Sequence, residues 1–135
     1  MEQGGYYLSG INSWFGSKER LLETAYRLPL QKNGRPYRVV GSRSHMNGLT
    51  VAFIDSIRDE YPDLEIVQRG SSLKICMVAA GDADIYPRFG PTMEWDTAAG
   101  HAVAKAAGKS IVEAESGKEL HYNKEDLLNP YFIVW

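Results

Sequence analysis

Between Tyr86 and Gly108 the chain reads YPRFGPTMEWDTAAGHAVAKAAG, and this alanine-rich stretch constrains the fold more than any other. Alanine is the strongest helix former and ends at Cβ, so a helix built from it approaches a neighbouring backbone closely. Trp95, Ala98, Ala99, Ala102, Val103 and Ala106 recur at the i, i+3, i+4, i+7 spacing of a buried stripe. The spacing predicts a helix from Trp95 that ends at Gly108, with that face packed inward. Asp96 lies one position round from Trp95, at the helix start. A carboxylate there can cap the helix and complement its dipole. It can equally serve as an oxygen ligand for a hard cation such as Mg2+, with Arg88 nearby to meet a phosphate. Spacing leaves both readings open.

The rest of the chain alternates strands and helices. Gly4 to Leu8 and Tyr26 to Leu30 read as short strands of a hairpin-like region, with a loop from Ser9 to Lys18 and a turn at Lys32-Asn33-Gly34-Arg35-Pro36. Tyr37 to Gly41 is a short apolar strand. Asn47 is placed to cap a helix from Gly48 to about Tyr61, with Pro62 beyond its end. Leu64 to Val67 is the next strand. Ser71 or Ser72 opens a helix that runs to Ala80 and stops at Gly81. Ala83 to Tyr86, Ser110 to Ala114 and Phe132 to Trp135 are further strands. The alternation argues for an α/β domain, a sheet with packed helices, in which a ligand site gathers at strand ends and helix N-termini.

Bulk properties exclude several function classes. A length of 135 residues suits one domain with a real core. A net charge of −2 with no basic block argues against nucleic acid as the main partner, so an anion would be met by a local cluster of donors. No apolar run reaches membrane-spanning length, and the N-terminus carries no signal-peptide pattern. The one cysteine, Cys76, has no partner for a disulfide, fits a reducing cytoplasm, and reads as an inert buried thiol in the apolar run Leu73 to Ala80.

Three loops carry groups suited to chemistry. Gly70-Ser71-Ser72-Leu73-Lys74 gathers hydroxyls, backbone N–H groups and a cation at a helix start, which suits a phosphate as well as a plain serine cap. Ser42-Arg43-Ser44-His45 follows a strand and, on its own, is a polar loop. Arg88 is a planar donor able to take two phosphate oxygens, or a solvated surface side chain. Asp82 and Asp84 read as turn and strand-edge residues, and Arg58-Asp59-Glu60 as the solvated end of a helix. His101 and His121 show no metal-ligand spacing with each other or with Cys76.

The run Trp95-Asp96-Thr97-Ala98-Ala99-Gly100 resembles the C-terminal signature of the inositol monophosphatase superfamily of metal-dependent phosphatases. Ala83-Asp84-Ile85-Tyr86-Pro87-Arg88-Phe89-Gly90-Pro91-Thr92 narrows the likeness to the bacterial 3'(2'),5'-bisphosphate nucleotidases, which remove the 3'-phosphate from adenosine 3',5'-bisphosphate. Ser42 to His45, Gly70 to Lys74 and Leu128-Asn129-Pro130-Tyr131-Phe132 agree in order, so the likeness runs from about Val39 to the end of the chain. It implies the C-terminal lobe of the inositol monophosphatase-like fold, with residues 37–135 forming an α/β nucleotide-binding lobe and 1–36 remnant strands of a preceding sheet region. It also implies that Asp96 is a Mg2+ ligand and catalytic residue. By the same likeness Gly70, Ser71 and Lys74 hold the nucleotide, Ser42 and His45 line the adenosine and phosphate pocket, and Arg88 takes phosphate oxygens. The location it implies is cytoplasmic, with peripheral association at the inner face of the membrane as a variant.

The superfamily's glutamate-bearing segment and its aspartate–proline–x–aspartate–glycine–threonine motif do not occur in this sequence, which holds no Asp-Pro pair. Hard cations need several oxygen ligands, and Asp96 supplies one carboxylate. The resemblance therefore implies the C-terminal part of a nucleotidase, inactive by itself, with an exposed sheet edge open to self-association. The alternatives are a non-catalytic nucleotide- or phosphate-binding domain and a related inositol or sugar phosphate phosphatase.

Overall fold

A computed structural model describes residues 4–9, 18–31, 33–42 and 46–135. Strand β1 (Tyr6–Tyr7) pairs antiparallel with β2 (Tyr26–Arg27), on either side of helix α1 (Lys18–Thr24) in sequence. There follow β3 (Arg38–Ser42), α2 (Gly48–Ser56), β4 (Glu65–Arg69), α3 (Leu73–Ala80), β5 (Tyr86–Arg88), α4 (Glu94–Ala106), β6 (Ile111–Glu113) and β7 (Phe132–Val134). β4 runs parallel to β3, while β7 lies antiparallel between β5 and β6. A parallel bridge between Val39 and Ile85 joins the two groups into one mixed layer ordered β4-β3-β5-β7-β6. This is the α/β sheet with packed helices that the strand–helix alternation predicts.

Successive strand residues point to opposite faces, and the core divides accordingly. Val40, Tyr86, Ile111, Phe132 and Val134 pack with Ile75, Val78, Ala79, Ala104 and Ala107 of the α3–α4 layer. Val39, Ile85 and the half-buried Ile133 face Ile54 of α2 and Leu64 on the other side. Two helical layers therefore enclose the sheet. Asn47 caps α2 as expected, its Oδ1 accepting from the Thr50 N–H at 3.0 Å and the Thr50 hydroxyl at 2.8 Å. Gly81 ends α3 in the left-handed region at φ 79°.

Helix α4 corrects the expected packing. Trp95, Ala98, Ala99, Ala102, Val103 and Ala106 are all exposed, Trp95 by 66%. The buried positions are instead Glu94, Thr97, Gly100, His101 and Ala104. Two forces set this orientation. Gly100 lies so close to α3 that an added Cβ would stand 3.0 Å from Ile75 Cδ1. The polar residues tolerate burial because each has a partner: Glu94 with Lys124, Thr97 with Asn129, His101 with Tyr122.

Other boundaries differ locally. Helix α1 has no counterpart in the sequence reading. The expected helix to Tyr61 ends at Ser56, and its last residues form turns, with the Tyr61 N–H donating to the Ile57 carbonyl at 3.0 Å. Cys76 is half-buried, beside the packed face made by Lys74, Ile75, Val78 and Ala79. Asp84 is more than an edge residue: Arg35 donates to both its oxygens at 2.5 and 3.0 Å, and the Arg38 N–H donates at 2.7 Å. Those bonds hold its carboxyl below the usual range against the opposing effect of burial.

Candidate functional site

β4, β3 and β5 run in the same direction, so their carboxyl ends meet at one edge of the sheet. Each is followed by a loop that feeds forward: Ser42 ends β3, Arg69 leads through Gly70–Ser72 into α3, and Arg88 leads through residues 89–93 into α4. This is where open α/β sheets place ligands. A cavity of about 500 Å3 opens there, lined by Ser42, Gly70, Ser71, Lys74, Tyr86, Arg88, Thr92 and Asp96 among others.

The α3 side of the cavity gathers hydroxyls, helix-start N–H groups and a buried cation. Ser71 takes φ 52°, an uncommon left-handed conformation for a non-glycine residue. Ser72 makes no side-chain cap bond at the start of α3, where the first N–H groups point outward. Lys74 is only 4% exposed. Its ammonium donates to the Ser71 carbonyl at 2.7 Å and to the Arg69 carbonyl at 3.4 Å. Burial, and then the charge of Arg88, lower the Lys74 pKa from its ordinary value. Two cations thus share one cavity and repel each other.

Arg88 enters from the end of β5. Its Nη2 donates to the Pro91 carbonyl at 2.9 Å, which folds the 88–91 turn back on itself. Its Nε is buried with no hydrogen-bond partner among the described residues, an unused donor in the cavity wall. Beneath, burial drives the Tyr86 hydroxyl up to about 12, and its ring packs edge-on to Phe132 with centroids 5.9 Å apart.

Asp96 performs the capping role open to it in the sequence. Its Oδ2 accepts the Met93 N–H at 2.8 Å, and the Asp96 N–H donates to the Met93 carbonyl at 2.9 Å. The same side chain lines the cavity. The described residues hold no group of three or more His, Cys, Asp or Glu side chains placed to bind a metal ion. Mg2+ seeks octahedral oxygen coordination, and one carboxylate does not complete it, even with waters in several positions. The described residues alone therefore do not fit a full Mg2+ site.

Of the residues singled out in the sequence, Ser42, Gly70, Ser71, Lys74, Arg88 and Asp96 line this one cavity. His45 lies outside the described residues. The cavity adds Tyr86, Thr92, Trp95 and Thr97, which sequence reasoning missed as wall residues although they fall within the same two sequence blocks. His101 sits away from the cavity lining, its Nδ1 2.8 Å from the Tyr122 hydroxyl and its Nε2 3.2 Å from Glu119. Among the described residues, no helix is long and apolar enough to cross a membrane.

The profile of the Inositol monophosphatase family matches residues 16–133. The chain is 42% identical over 131 residues to the 3'(2'),5'-bisphosphate nucleotidase CysQ of Salmonella typhimurium, across 96% of this chain and 49% of that protein. It is 46% identical over 104 residues to the nucleotidase CysQ of Escherichia coli strain K12, across 76% of this chain and 40% of that protein. The crystal structure of CysQ from Bacteroides thetaiotaomicron superposes with a TM-score of 0.88 at 46% identity, over 97% of this chain and 49% of that one. The chain spans about half the length, or less, of the curated relatives it matches.

Proposed function

The chain belongs to the inositol monophosphatase family, and from that premise we propose that it supplies the nucleotide-holding part of a phosphatase. The substrate in this reading is adenosine 3',5'-bisphosphate, hydrolysed to AMP and phosphate. The observation that carries it is the pairing of buried Lys74 with Arg88 across one cavity at the start of α3. A phosphate placed there would relieve their mutual repulsion, accept from the buried Arg88 Nε, and meet the first N–H groups of α3. Ser42, Gly70 and Ser71 would shape the pocket around it, Gly70 because an added Cβ would meet nothing within 4 Å and leaves room for ligand. His45 belongs to the same proposal through the resemblance alone. The relatives' printed names, both 3'(2'),5'-bisphosphate nucleotidases, support the choice of substrate.

Asp96 would contribute one oxygen ligand to Mg2+ in the whole enzyme, where the ion would polarise the phosphoryl group. The other ligands would come from outside the described residues, so no catalytic step is assigned to this chain alone. That same shortage favours a second reading, a nucleotide- or phosphate-binding domain without turnover. Residues 1–36 would be remnant strands of a preceding sheet region, and residues 37–135 the nucleotide-binding lobe. The β4 edge, Glu65–Arg69, would be the place for self-association.

Calorimetric titration with adenosine 3',5'-bisphosphate tests the binding shared by both readings, and Mg2+-dependent phosphate release separates them. We expect saturable binding with release far slower than from a full-length relative. Absence of binding at millimolar nucleotide would overturn the assignment.

A further inference from the structure

We infer that Asn129 is a positioning residue that fixes the α4-side wall of the nucleotide cavity, an inference that rests on the binding reading above. Leu127 to Asn129 pairs with Thr92 to Glu94 as a short antiparallel contact. The Glu94 N–H donates to the Leu127 carbonyl at 3.0 Å and the Asn129 N–H to the Thr92 carbonyl at 2.8 Å, bracketing a Met93–Leu128 bridge. The side chain then reaches further along the wall. Its Nδ2 lies 2.9 Å from the Met93 carbonyl, 3.0 Å from Thr97 Oγ1 and 3.2 Å from Thr92 Oγ1.

These contacts bracket Asp96 in sequence and in space. Met93, on one side, donates its N–H to the Asp96 carboxylate and accepts the Asp96 N–H at its carbonyl; Thr97, on the other, is the next residue of the helix. Thr92, Asp96 and Thr97 all line the cavity, and Pro91, adjacent to Thr92, holds Arg88 Nη2. One amide therefore ties together the segment that carries both the acidic residue and the anchor of the arginine.

The amide's orientation is fixed chemically, because the Met93 carbonyl only accepts and so requires the NH2 end. That leaves Asn129 Oδ1 buried with no hydrogen-bond partner among the described residues, in a residue only 4% exposed. An unmet buried acceptor costs stability. The NH2 end reaches three acceptors of the wall, the Met93 carbonyl and the Thr97 and Thr92 hydroxyl oxygens, and this convergence holds the wall's geometry.

The test compares Asn129→Leu with Ile54→Val, a change in the core on the far face of the sheet. Both are assayed by nucleotide calorimetry, thermal midpoint, and amide hydrogen exchange at Met93 and Asp96. Asn129→Leu should weaken adenosine 3',5'-bisphosphate by about tenfold and speed exchange at both amides by at least about tenfold, the scale of one lost hydrogen bond in the wall. Ile54→Val should leave affinity and those two amides unchanged relative to their global stability. If Asn129→Leu does not fold, Asn129→Asp keeps the shape and removes the donors, and should give the same two effects. Unchanged affinity and exchange in the Asn129 variants, or an equal loss in Ile54→Val, would overturn the inference. If the wild-type chain binds no nucleotide, the substrate reading fails by itself, and the exchange rates at Met93 and Asp96 still decide the positioning role.

Discussion

The ammonium of Lys74 stands 5.3 Å from the centre of the Tyr86 ring, over its face, on the floor of the cavity that Arg88 also lines. The ring's negative face and the carbonyls of Ser71 and Arg69 hold the cation without a carboxylate partner in its hydrogen bonds. Burial first, and Arg88 second, lower its pKa from 10.5. In the proposed complex a phosphate would supply the missing counter-charge and draw that pKa back up, so binding would take up a proton once the free lysine has begun to lose its own. Nucleotide affinity should therefore fall as pH rises toward 10.5 through the lowered Lys74 value. Lys74→Met should weaken binding by about 1.5–3 kcal/mol, or about 10- to 100-fold, and flatten that pH dependence. Calorimetry across this alkaline range checks both, and a wild-type affinity independent of pH would contradict the assignment.

Gly100 of α4 faces Ile75 of α3 with no room between them. A Cβ on Gly100 would stand 3.0 Å from Ile75 Cδ1 and 3.2 Å from both its Cβ and its Cγ2. The terminal methyl can rotate away, but Ile75 Cβ is fixed to the α3 backbone. Gly100→Val should cost about 1–3 kcal/mol through overpacking. In an Ile75→Ala background the same change should cost less, because the obstructing branch is gone. Urea unfolding of the four proteins in this cycle measures the coupling, and strict additivity would show that the helices do not meet as described.

The contrast between α3 and α4 explains what was legible in the sequence. Helix α3 is declared locally: serines before it, apolar residues through it, Gly81 after it. The start of α2 is likewise set by Asn47. Helix α4 was legible as a helix but not as a packed object. Its alanines suit either side, and the choice of face was made by Gly100 against Ile75 and by partners for Glu94, Thr97 and His101 that lie at residues 119–129. Asp84 follows the same rule, since its partner Arg35 is 49 positions away. The cavity lining was legible as sequence blocks because the loops that form it follow strand ends. Asn129 stood inside a recognised block without a visible role, because its role is a contact to Met93 across 36 positions.

Gly81 links the amino-terminal segment to the helical layer. Its φ is 79°, and a Cβ there would meet the Leu30 carbonyl oxygen at 2.6 Å, beside the bond from the Leu30 N–H to the Ala80 carbonyl at 3.0 Å. Gly81→Ala should cost about 1–2 kcal/mol from the left-handed conformation alone, with the carbonyl contact adding to it. Because the obstruction is local to Leu30, amide exchange at Leu30 should rise more than exchange at Val78 in the buried turn of α3. Equal changes at both would mean that the segment is not anchored at this point.

Acid should loosen the contact between α4 and residues 119–124 in two stages, each with a sign fixed by its own residue. Burial keeps His101 neutral and lowers its pKa from 6.5. The unfolded chain therefore binds that proton first, and stability falls as pH drops from 6.5 through the lowered folded-state value. Glu94 follows. The Lys124 ammonium, then the N–H groups of Asn123 and Lys124, hold its carboxyl at about 2 against an ordinary 4.5. Its contribution is complete above 4.5 and is lost as pH falls through about 2. Glu94→Gln should lower stability at neutral pH and remove the steeper loss in the acid window, while leaving the His101 stage in place. Urea midpoints recorded against pH for the wild type and Glu94→Gln decide this, and parallel curves below 4.5 would show that Glu94 does not carry the acid response.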